Sequence, residues 1–416
     1  MINKIVLFGS SLLILSLLCL SIIGCDEPYT EQWPDDPPTY SDINLYVINE
    51  HTLFGLLDRS ETTDDEIGEI RALMNNPVSG YQTVSSPILI YHDRGELTVA
   101  SQRGLAVAST SGTLHAFDIP PMAINAGIQP GELLWETNLG GPVSATPFLH
   151  GSTICVGTNN GLFHFINAIT GEIINTYTNP SGLGFNSEAT YFLSNAIIVG
   201  SVDGHVYYFS FDGTFLQSFD TGAPVLAGAH ALFNTNQQGV IVGNQSGELF
   251  KLNTEAEEVW KIQLDGSIYA KPMQQILVLD ETPKLYVSTT QGTVYQVDGT
   301  TGFIDWEFQA DGPIYSSVTN STNGGIQYIY FTCVDGNVYA LDKEGTLQWK
   351  LNLEDGPLYS TPAIDNFNQL YVNGISGVYG IDAINGNIIS KFEVDHSPDA
   401  DITGNFKSSI LLIDDY

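Results

Sequence analysis

Basic residues are scarce in this sequence. Its 416 residues include 13 Lys and Arg against 47 Asp and Glu, a formal net charge of −34 at pH 7. A surface of this sign repels the phosphates of nucleic acids and anionic lipid headgroups. Nucleic-acid binding is therefore excluded, whereas an acidic surface adapted to its medium, a bound Ca²⁺ ion or a basic partner all remain compatible with the charge.

Cysteine is scarcer still, with four in the whole chain. No pair has the C-x-x-C spacing, and no set of Cys and His has the spacing of a metal site. Cys155 and Cys333 lie in strand-like apolar runs of different repeats. We therefore expect two buried free thiols in place of a disulfide.

The long apolar run of the sequence lies at its N-terminus. Lys4 precedes a mostly apolar stretch that ends in Ile22-Ile23-Gly24-Cys25. A short apolar stretch behind one basic residue is typical of an export signal. Its end is similar to the lipobox of bacterial lipoproteins, in which the Cys is diacylated and becomes the mature N-terminus.

These features predict three segments before the fold begins. Residues 1–24 would be a lipoprotein signal peptide, Cys25 would carry the lipid, and the Pro-rich acidic residues 25–41 would form a flexible tether. An ordinary signal peptide or a single transmembrane anchor are the alternatives. Removal of Lys4 with the signal would leave 12 basic residues in the mature chain.

Catalytic motifs are missing as well. The sequence contains no G-x-S-x-G elbow, no H-E-x-x-H pair and no P-loop. His205, His230 and His396 have no local partners of a catalytic type. We expect no catalytic residues, no cofactor and no enzymatic activity.

A repeat fills the rest of the chain. Its clearest copy runs from the strand-like residues 326–332 through Asp335-Gly336 and Val338-Tyr339-Ala340-Leu341-Asp342 to Trp349. The first-turn glycine recurs at intervals of 49, 43, 43, 45, 44 and 41 residues, at Gly112, Gly161, Gly204, Gly247, Gly292, Gly336 and Gly377. A period in the low forties with four strand-like segments per unit predicts the blades of a β-propeller.

The residue types of the unit follow from blade geometry. Asp-Gly or Ser-Gly between alternating apolar runs is a strong hairpin signal, because the turn needs a positive φ. The strand after it should pack against both adjoining blades, and the recurring Trp should wedge between blades. His115 and His164 occupy a position of this strand that elsewhere holds an aromatic ring. We expect both to pack between blades and not to bind a metal.

A degenerate eighth copy precedes the seven glycines. Residues 45–48 and 53–58 resemble residues 370–372 and 378–382, with Thr52 at the place of the turn glycine. The missing first strand of this copy resembles Lys407 to Ile413 at the other end of the chain. We therefore predict that residues 42–416 form one all-β propeller of eight four-stranded antiparallel blades, with seven as the alternative. The C-terminal strand, Ser408 to Ile413, would complete the first blade.

Two stretches interrupt the period. One is an insertion from Arg59 to Tyr81, in which Ile67, Ile70, Leu73 and Met74 fall at helical spacing and predict a short amphipathic helix. It would pack on the ring or meet a partner. The other is an acidic loop whose Asp395, Asp399 and Asp401 are candidate cation ligands, with a solvated loop as the alternative.

These motifs are similar to the PQQ-like repeat family. Residues 168–171 and 298–302, the latter followed by Trp306, match its Thr-Gly and Trp pattern, and the resemblance covers roughly residues 42 to 416. The repeat serves both enzymes and scaffolds. The quinoprotein dehydrogenases that share it have an adjacent Cys pair beside the quinone, which this sequence lacks.

The lipobox, size and copy number most resemble the BamB family of outer-membrane assembly lipoproteins. That resemblance implies a monomeric, non-enzymatic propeller that is exported, held by lipid on a bacterial outer membrane and bound to a protein partner of the cell envelope. No segment matches the partner-binding loop of that family. The alternative is a surface-exposed lipoprotein that binds a small ligand or glycan through the central channel.

Overall fold

A computed structural model describes residues 43–49, 52–58, 68–77, 86–92, 102–118, 132–192, 196–232, 238–275, 282–323, 326–365, 367–393 and 411–414. Every regular element in these ranges is a β-strand. None of these ranges contains a helix that is long and apolar enough to span a membrane. The predicted signal peptide, Cys25, the tether and the acidic loop with Asp395, Asp399 and Asp401 lie outside them.

The strands follow one another in groups along the first half of the chain. An N-terminal group contains β1 (Ile43–Asn49), β2 (Thr52–Asp58) and β3 (Gly68–Pro77). Blade 1 consists of β4 (Ile88–His92), β5 (Gln102–Ala108), β6 (Thr113–Asp118) and β7 (Leu133–Asn138). Blade 2 consists of β8 (Phe148–His150), β9 (Thr153–Gly157), β10 (Leu162–Asn167) and β11 (Ile173–Thr178). Blade 3 consists of β12 (Thr190–Phe192), β13 (Ala196–Gly200), β14 (His205–Ser210) and β15 (Phe215–Asp220).

The second half repeats this order. Blade 4 consists of β16 (His230–Leu232), β17 (Gly239–Gly243), β18 (Glu248–Leu252) and β19 (Glu258–Gln263). Blade 5 consists of β20 (Met273–Gln274), β21 (Lys284–Ser288), β22 (Thr293–Asp298) and β23 (Ile304–Gln309). Blade 6 consists of β24 (Thr319–Asn323), β25 (Ile326–Thr332), β26 (Asn337–Asp342) and β27 (Leu347–Asn352). Blade 7 begins with β28 (Ala363–Ile364), β29 (Gln369–Asn373), β30 (Gly377–Asp382) and β31 (Ile388–Glu393), and the last strand is β32 (Leu411–Asp414).

These strands form seven sheets, so the expectation of eight blades is wrong and the alternative of seven is confirmed. Six sheets have four antiparallel strands, and the seventh has eight in the order β28-β29-β30-β31-β3-β2-β1-β32. The N-terminal group joins blade 7 through a short parallel pairing of β3 with β31, in which Gly68 lies opposite Ser390 and Glu69 opposite Lys391. Two outer edges thereby share backbone hydrogen bonds and merge into one sheet.

The C-terminal strand pairs with the first strand, as the sequence predicts. β32 runs antiparallel to β1, with Asp414 opposite Ile43 and Leu411 opposite Tyr46. The pairing covers Leu411–Asp414, a shorter and slightly later stretch than the one expected. The two ends of the chain therefore meet in the same sheet.

The insertion after β2 does not form the expected helix over its described part. Gly68–Pro77 is strand β3, which pairs with β2 and has a register shift between Gly55 and Leu56. The same shift occurs between the third and fourth strands of each of blades 1 to 7. Such a β-bulge adds one residue to the strand and so breaks the period of two. Apolar residues three positions apart in this stretch resemble a helical pattern, but that spacing includes the extra residue of the bulge.

The core lies between blades, and the third strand of each blade contributes to two interfaces. In β26, Val338 and Ala340 pack toward blade 7, whereas Tyr339 and Leu341 pack toward blade 5. In the described residues, one buried cluster of this kind fills each contact from blades 1 and 2 to blades 6 and 7. The expected packing of this strand on both neighbours is confirmed.

The recurring tryptophans also join neighbouring blades, as predicted. Each ring lies against a glycine in the last turn of the following blade, in the pairs Trp135 and Gly171, Trp260 and Gly302, Trp306 and Gly345, and Trp349 and Gly386. A Cβ added at these glycines would lie 2.7–3.0 Å from the ring. Three of the indoles donate to a carbonyl of the same turn, at Ala168 (3.2 Å), Lys343 (2.9 Å) and Ala383 (3.1 Å).

Candidate interaction site

Two kinds of connection meet at one end of the propeller. One is the joining loop, which leads from the outer strand of a blade to the inner strand of the next; the other is the hairpin turn between the second and third strands. In blades 2 to 6 the backbone of the turn is hydrogen-bonded to the joining loop before it. The backbone N–H of Val334 donates to Pro313 O at 3.0 Å, and that of Thr290 donates to Ser267 O at 3.0 Å. Loops and turns together therefore form one continuous surface.

Three consecutive joining loops share the sequence Asp-Gly-Ser/Pro-Ile/Leu-Tyr, at residues 265–269, 311–315 and 355–359. The apolar residue of each motif is buried at 0–1% exposure, in Ile268, Ile314 and Leu358. The tyrosine that follows faces solvent, at 38% exposure for Tyr269, 39% for Tyr315 and 44% for Tyr359. Alternation along an extended loop thus buries one side chain and exposes the next.

The three exposed rings form a row, which we call the tyrosine arc. Ring centroids are 5.3 Å apart for Tyr269 and Tyr315 and 5.9 Å apart for Tyr315 and Tyr359, with the ring planes inclined by 63° and 49°. Gln245 donates to the hydroxyl of Tyr269 at 2.7 Å. Large exposed aromatic rings on rigid loops are typical of surfaces that bind another molecule.

The aspartates of the same motif fix the arc to the following blade. The Asp265 carboxylate accepts the hydroxyl of Thr289 at 2.7 Å. The Asp355 carboxylate accepts the hydroxyl of Tyr379 at 3.0 Å and the backbone N–H of Ser376 at 2.9 Å. Tyr269 and Tyr359 each thus lie four residues after an aspartate that is bonded to the following blade.

Asp311 differs from the other two aspartates because its carboxylate faces solvent. Its side chain is 74% exposed and pairs with Lys350 at 2.5 Å, while its backbone N–H donates to the hydroxyl of Tyr339 at 3.2 Å. Lys350 also lies 3.7 Å from Asp335. The hydrogen bond to Asp311 raises the pKa of Lys350, and the hydrogen bond to the Tyr339 side chain raises it further.

The joining loops before blades 2, 3 and 4 do not extend the arc. The corresponding positions in the joining loops before blades 2, 3 and 4 hold Ser144, Asn186 and Leu226. Ser144 donates to Asn159 at 2.8 Å. The tyrosines therefore mark the loops that lead into blades 5, 6 and 7.

The histidines that the sequence singles out serve packing where the structure describes their contacts. His164 is buried and joins two elements, with Nε2 2.9 Å from Leu139 O and Nδ1 2.9 Å from Thr176 Oγ1. Burial lowers the pKa of His164, and the Leu139 carbonyl opposes that effect. His115 is also buried, beside Phe117. The expected packing role is confirmed for both.

The other histidines are scattered over the described blades. His230 lies at the start of β16, 3.4 Å from Gln274, and burial lowers its pKa to about 4. His205 lies 3.5 Å from Asp203 in a hairpin turn. No group of three potential metal ligands occurs within the ranges that the structure describes.

Cys155 and Cys333 are both free and buried, as expected. Burial raises the pKa of both thiols, that of Cys333 to about 12. A buried thiol of this kind is a packing residue, since the thiolate that would react is strongly disfavoured.

The repeat pattern does not predict the arc, although a signal for it exists in the sequence. The Asp-Gly pairs at 311 and 355 and the tyrosines after them resemble ordinary parts of the repeat. The distinguishing sign is that tyrosine recurs 46 and 44 residues apart at a position where other repeats place small or polar residues. A repeated large aromatic that the blade does not bury indicates a surface feature.

The blades have four strands, their tryptophans pack on the next blade and their third strands are buried. These features define a β-propeller of PQQ-like repeats. The chain belongs to the family described as outer membrane protein assembly factor BamB, whose model matches residues 84–214 and 258–405. No curated protein matches the chain.

Solved structures share the fold at low sequence identity. BamB from Moraxella catarrhalis matches with a TM-score of 0.55 and 17% identity, over 84% of this chain and 94% of that one. The computationally designed Ika8 protein matches with a TM-score of 0.57 and 13% identity, over 85% and 96%. A europium-containing methanol dehydrogenase matches with a TM-score of 0.58 and 11% identity, over 79% and 81%. At these identities the likeness concerns the fold alone.

Proposed function

We propose that this protein is a non-enzymatic, protein-binding scaffold of the bacterial cell envelope, with a BamB-like role in outer-membrane protein assembly as its specific form. Membership of the BamB family supports a scaffold role. The observation that carries the proposal is the tyrosine arc, a row of three exposed rings on loops tied to rigid blades. Aromatic side chains of this kind dominate the binding energy of protein interfaces.

Catalysis with a quinone is not part of the proposal, although a methanol dehydrogenase shares the fold. The sequence has no adjacent cysteine pair. The four tryptophans of the repeat, Trp135, Trp260, Trp306 and Trp349, are in contact with the turn of the next blade. A propeller of this type hosts both enzymes and scaffolds, so its function must be argued from the residues of the site and not from the fold.

The scaffold role predicts a specific partner. The full-length chain, tagged at its C-terminus and extracted in mild detergent, should co-purify with a β-barrel assembly protein. A Tyr269→Ser/Tyr315→Ser/Tyr359→Ser variant should recover at least tenfold less of it, because truncating a cluster of exposed aromatics removes the main anchors. Quantitative mass spectrometry measures the recovery.

A matched control uses Phe303, which is 68% exposed in the last turn of blade 5 and outside the arc. Phe303→Ser should recover as much assembly protein as the wild type. Equal recovery by the triple variant would remove the arc from the proposal. Absence of any assembly protein from the wild-type sample would reject the BamB-like role.

We also propose that Cys25 holds the scaffold on the membrane through lipid, with residues 25–41 as the tether. Two or three acyl chains anchor a protein stably, whereas one does not. Cells fed labelled palmitate should incorporate it into the wild type and not into Cys25→Ser, which should move to the soluble fraction. Label retained by the variant would place the acyl group elsewhere.

A further inference from the structure

We propose that the tyrosine arc binds an extended, basic segment of the partner, with Lys or Arg at alternate positions. This inference rests on the scaffold role proposed above and names the chemistry of its partner. It follows from the ring geometry, the surrounding charge and the way in which the fold places its own lysines.

The arc offers open aromatic faces. The ring planes are inclined by 63° and 49°, so no ring of the three is stacked parallel on its neighbour. Each ring is more than a third exposed. The face of an aromatic ring carries a partial negative charge and attracts cations.

Acidic residues lie close to these tyrosines in the sequence. Asp265, Asp311 and Glu354 are exposed in the joining loops that present the rings. Lys350 pairs with Asp311 and Asp335 and balances part of this charge, and Lys271 pairs with Glu188 at 3.3 Å. With 47 acidic against 13 basic residues in the chain, the field at this end favours a cationic ligand.

The fold uses the same combination internally. Lys350 Nζ lies 5.0 Å from the centroid of the Tyr339 ring, and the Tyr339 hydroxyl donates to Asp335 at 2.6 Å. Lys391 Nζ lies 4.7 Å from the Tyr379 ring, whose hydroxyl donates to Asp355. In both places a lysine covers a tyrosine that is bonded to an aspartate.

The arc presents tyrosine rings without the covering lysine of these two places, and in the described part of the chain the Tyr269 hydroxyl accepts from Gln245 and is not bonded to an aspartate. Among the described residues, no lysine or arginine lies over Tyr269, Tyr315 or Tyr359. In the proposed complex the partner supplies this cation.

The ring spacing is compatible with an extended segment. Side chains on the same face of an extended chain are roughly 6.6 Å apart, twice the rise per residue. The centroids of the arc are 5.3 and 5.9 Å apart, so basic side chains at positions i, i+2 and i+4 can each meet a ring. Successive Lys or Arg residues without this alternation would place every second charge away from the arc.

The test uses fluorescein-labelled peptides and the purified full-length chain in detergent, with binding followed by fluorescence anisotropy. The probe Gly-Arg-Ser-Arg-Ser-Arg-Gly should bind at least tenfold more tightly than its counterpart with Glu at the Arg positions. Tyr269→Leu/Tyr315→Leu/Tyr359→Leu should weaken the Arg peptide at least tenfold. The corresponding triple Phe variant should bind within about twofold of the wild type, because it keeps the rings.

Two further variants test the role of charge and the location of the site. Asp311→Asn should weaken binding of the Arg peptide about threefold. Phe303→Leu removes an exposed ring outside the arc and should leave binding unchanged. Undiminished binding by the triple Leu variant, or equal binding of the Glu peptide, would overturn the inference. So would tighter binding of a neutral oligosaccharide such as chitotetraose, which would identify the arc as a glycan site.

The outcome is separable from that of the scaffold proposal. If the assembly protein co-purifies through the arc while the Arg peptide does not bind, the scaffold role stands and the basic segment is wrong. If the Arg peptide binds through the arc while no assembly protein is recovered, the basic ligand stands and the BamB-like role is wrong.

Discussion

Gly345→Ala should lower the free energy of unfolding by about 2–5 kcal/mol. Gly345 has φ of +80°, a left-handed conformation that costs an L-residue with a Cβ about 1–2 kcal/mol. The added Cβ would also lie 2.7 Å from Cδ2 and 2.8 Å from Cε3 of Trp306. Since the Trp306 indole donates to Lys343 O at 2.9 Å, the ring cannot retreat without losing that bond. Overpacking of this kind costs about 1–3 kcal/mol more.

Gly222→Ala separates the two contributions. Gly222 has nearly the same φ, +79°, and a Cβ there would meet no atom within 4 Å. The free energy of unfolding of Gly222→Ala should therefore fall only by the backbone cost of about 1–2 kcal/mol. Urea unfolding followed by far-UV circular dichroism measures both variants. Equal losses would show that contact of Trp306 with the turn contributes little to the joining of blades 5 and 6.

The blades could be predicted because their code is local. Each turn glycine lies within a few residues of the strands it joins, and the alternation of Val338, Tyr339, Ala340 and Leu341 is visible in four letters of sequence. The contacts of Trp306 with the next blade follow from the period of the repeat. Each of these features depends on a particular residue type at a particular position of the repeat.

The number of sheets could not be predicted in the same way. The N-terminal group has the strand order of a blade, β32-β1-β2-β3, including the register shift of its last pair. Whether it stands alone depends on the parallel pairing of β3 with β31, at Gly68 and Ser390 and at Glu69 and Lys391. That pairing uses backbone N–H and C=O groups, which every residue but proline carries in full. The period of the repeat therefore identifies the unit but does not show which other strand its edge strand pairs with.

The site was partly visible in sequence. The apolar residue that follows each of Asp311-Gly312 and Asp355-Gly356 is buried, in Ile314 and Leu358. The arc itself depends on three loops of different blades meeting at one end of the propeller. Sequence distances of 46 and 44 residues become ring distances of 5.3 and 5.9 Å only through the fold.

Asp203→Ala should lower the free energy of unfolding by about 1–3 kcal/mol at neutral pH, because it leaves buried hydrogen-bond donors without their acceptor. The Asp203 side chain is 8% exposed. It accepts the hydroxyl of Tyr207 at 2.7 Å, the side-chain amide of Asn179 at 2.8 Å and the hydroxyl of Ser181 at 3.1 Å. Asn179 and Ser181 belong to the loop that leads into blade 3, so the carboxylate joins that loop to the blade.

Asp220→Ala is the control, because Asp220 is exposed and accepts one backbone N–H, from Gly222 at 2.8 Å. Its loss should stay at about 1 kcal/mol or less.

The same carboxylate should make stability fall in acid. Burial alone would raise the pKa of Asp203, but hydrogen bonds from Tyr207, the His205 backbone and Asn179 outweigh burial, and the pKa is lowered. Protonation is therefore harder in the folded chain than in the unfolded one, where an Asp titrates near about 3.9. The stabilisation is fully present above that value and is lost as the pH falls through the lower, folded pKa. Urea midpoints measured from pH 6 to pH 3 should decline more steeply for the wild type than for Asp203→Asn, which cannot ionise. Parallel curves for the two proteins would mean that the Asp203 network does not depend on its charge.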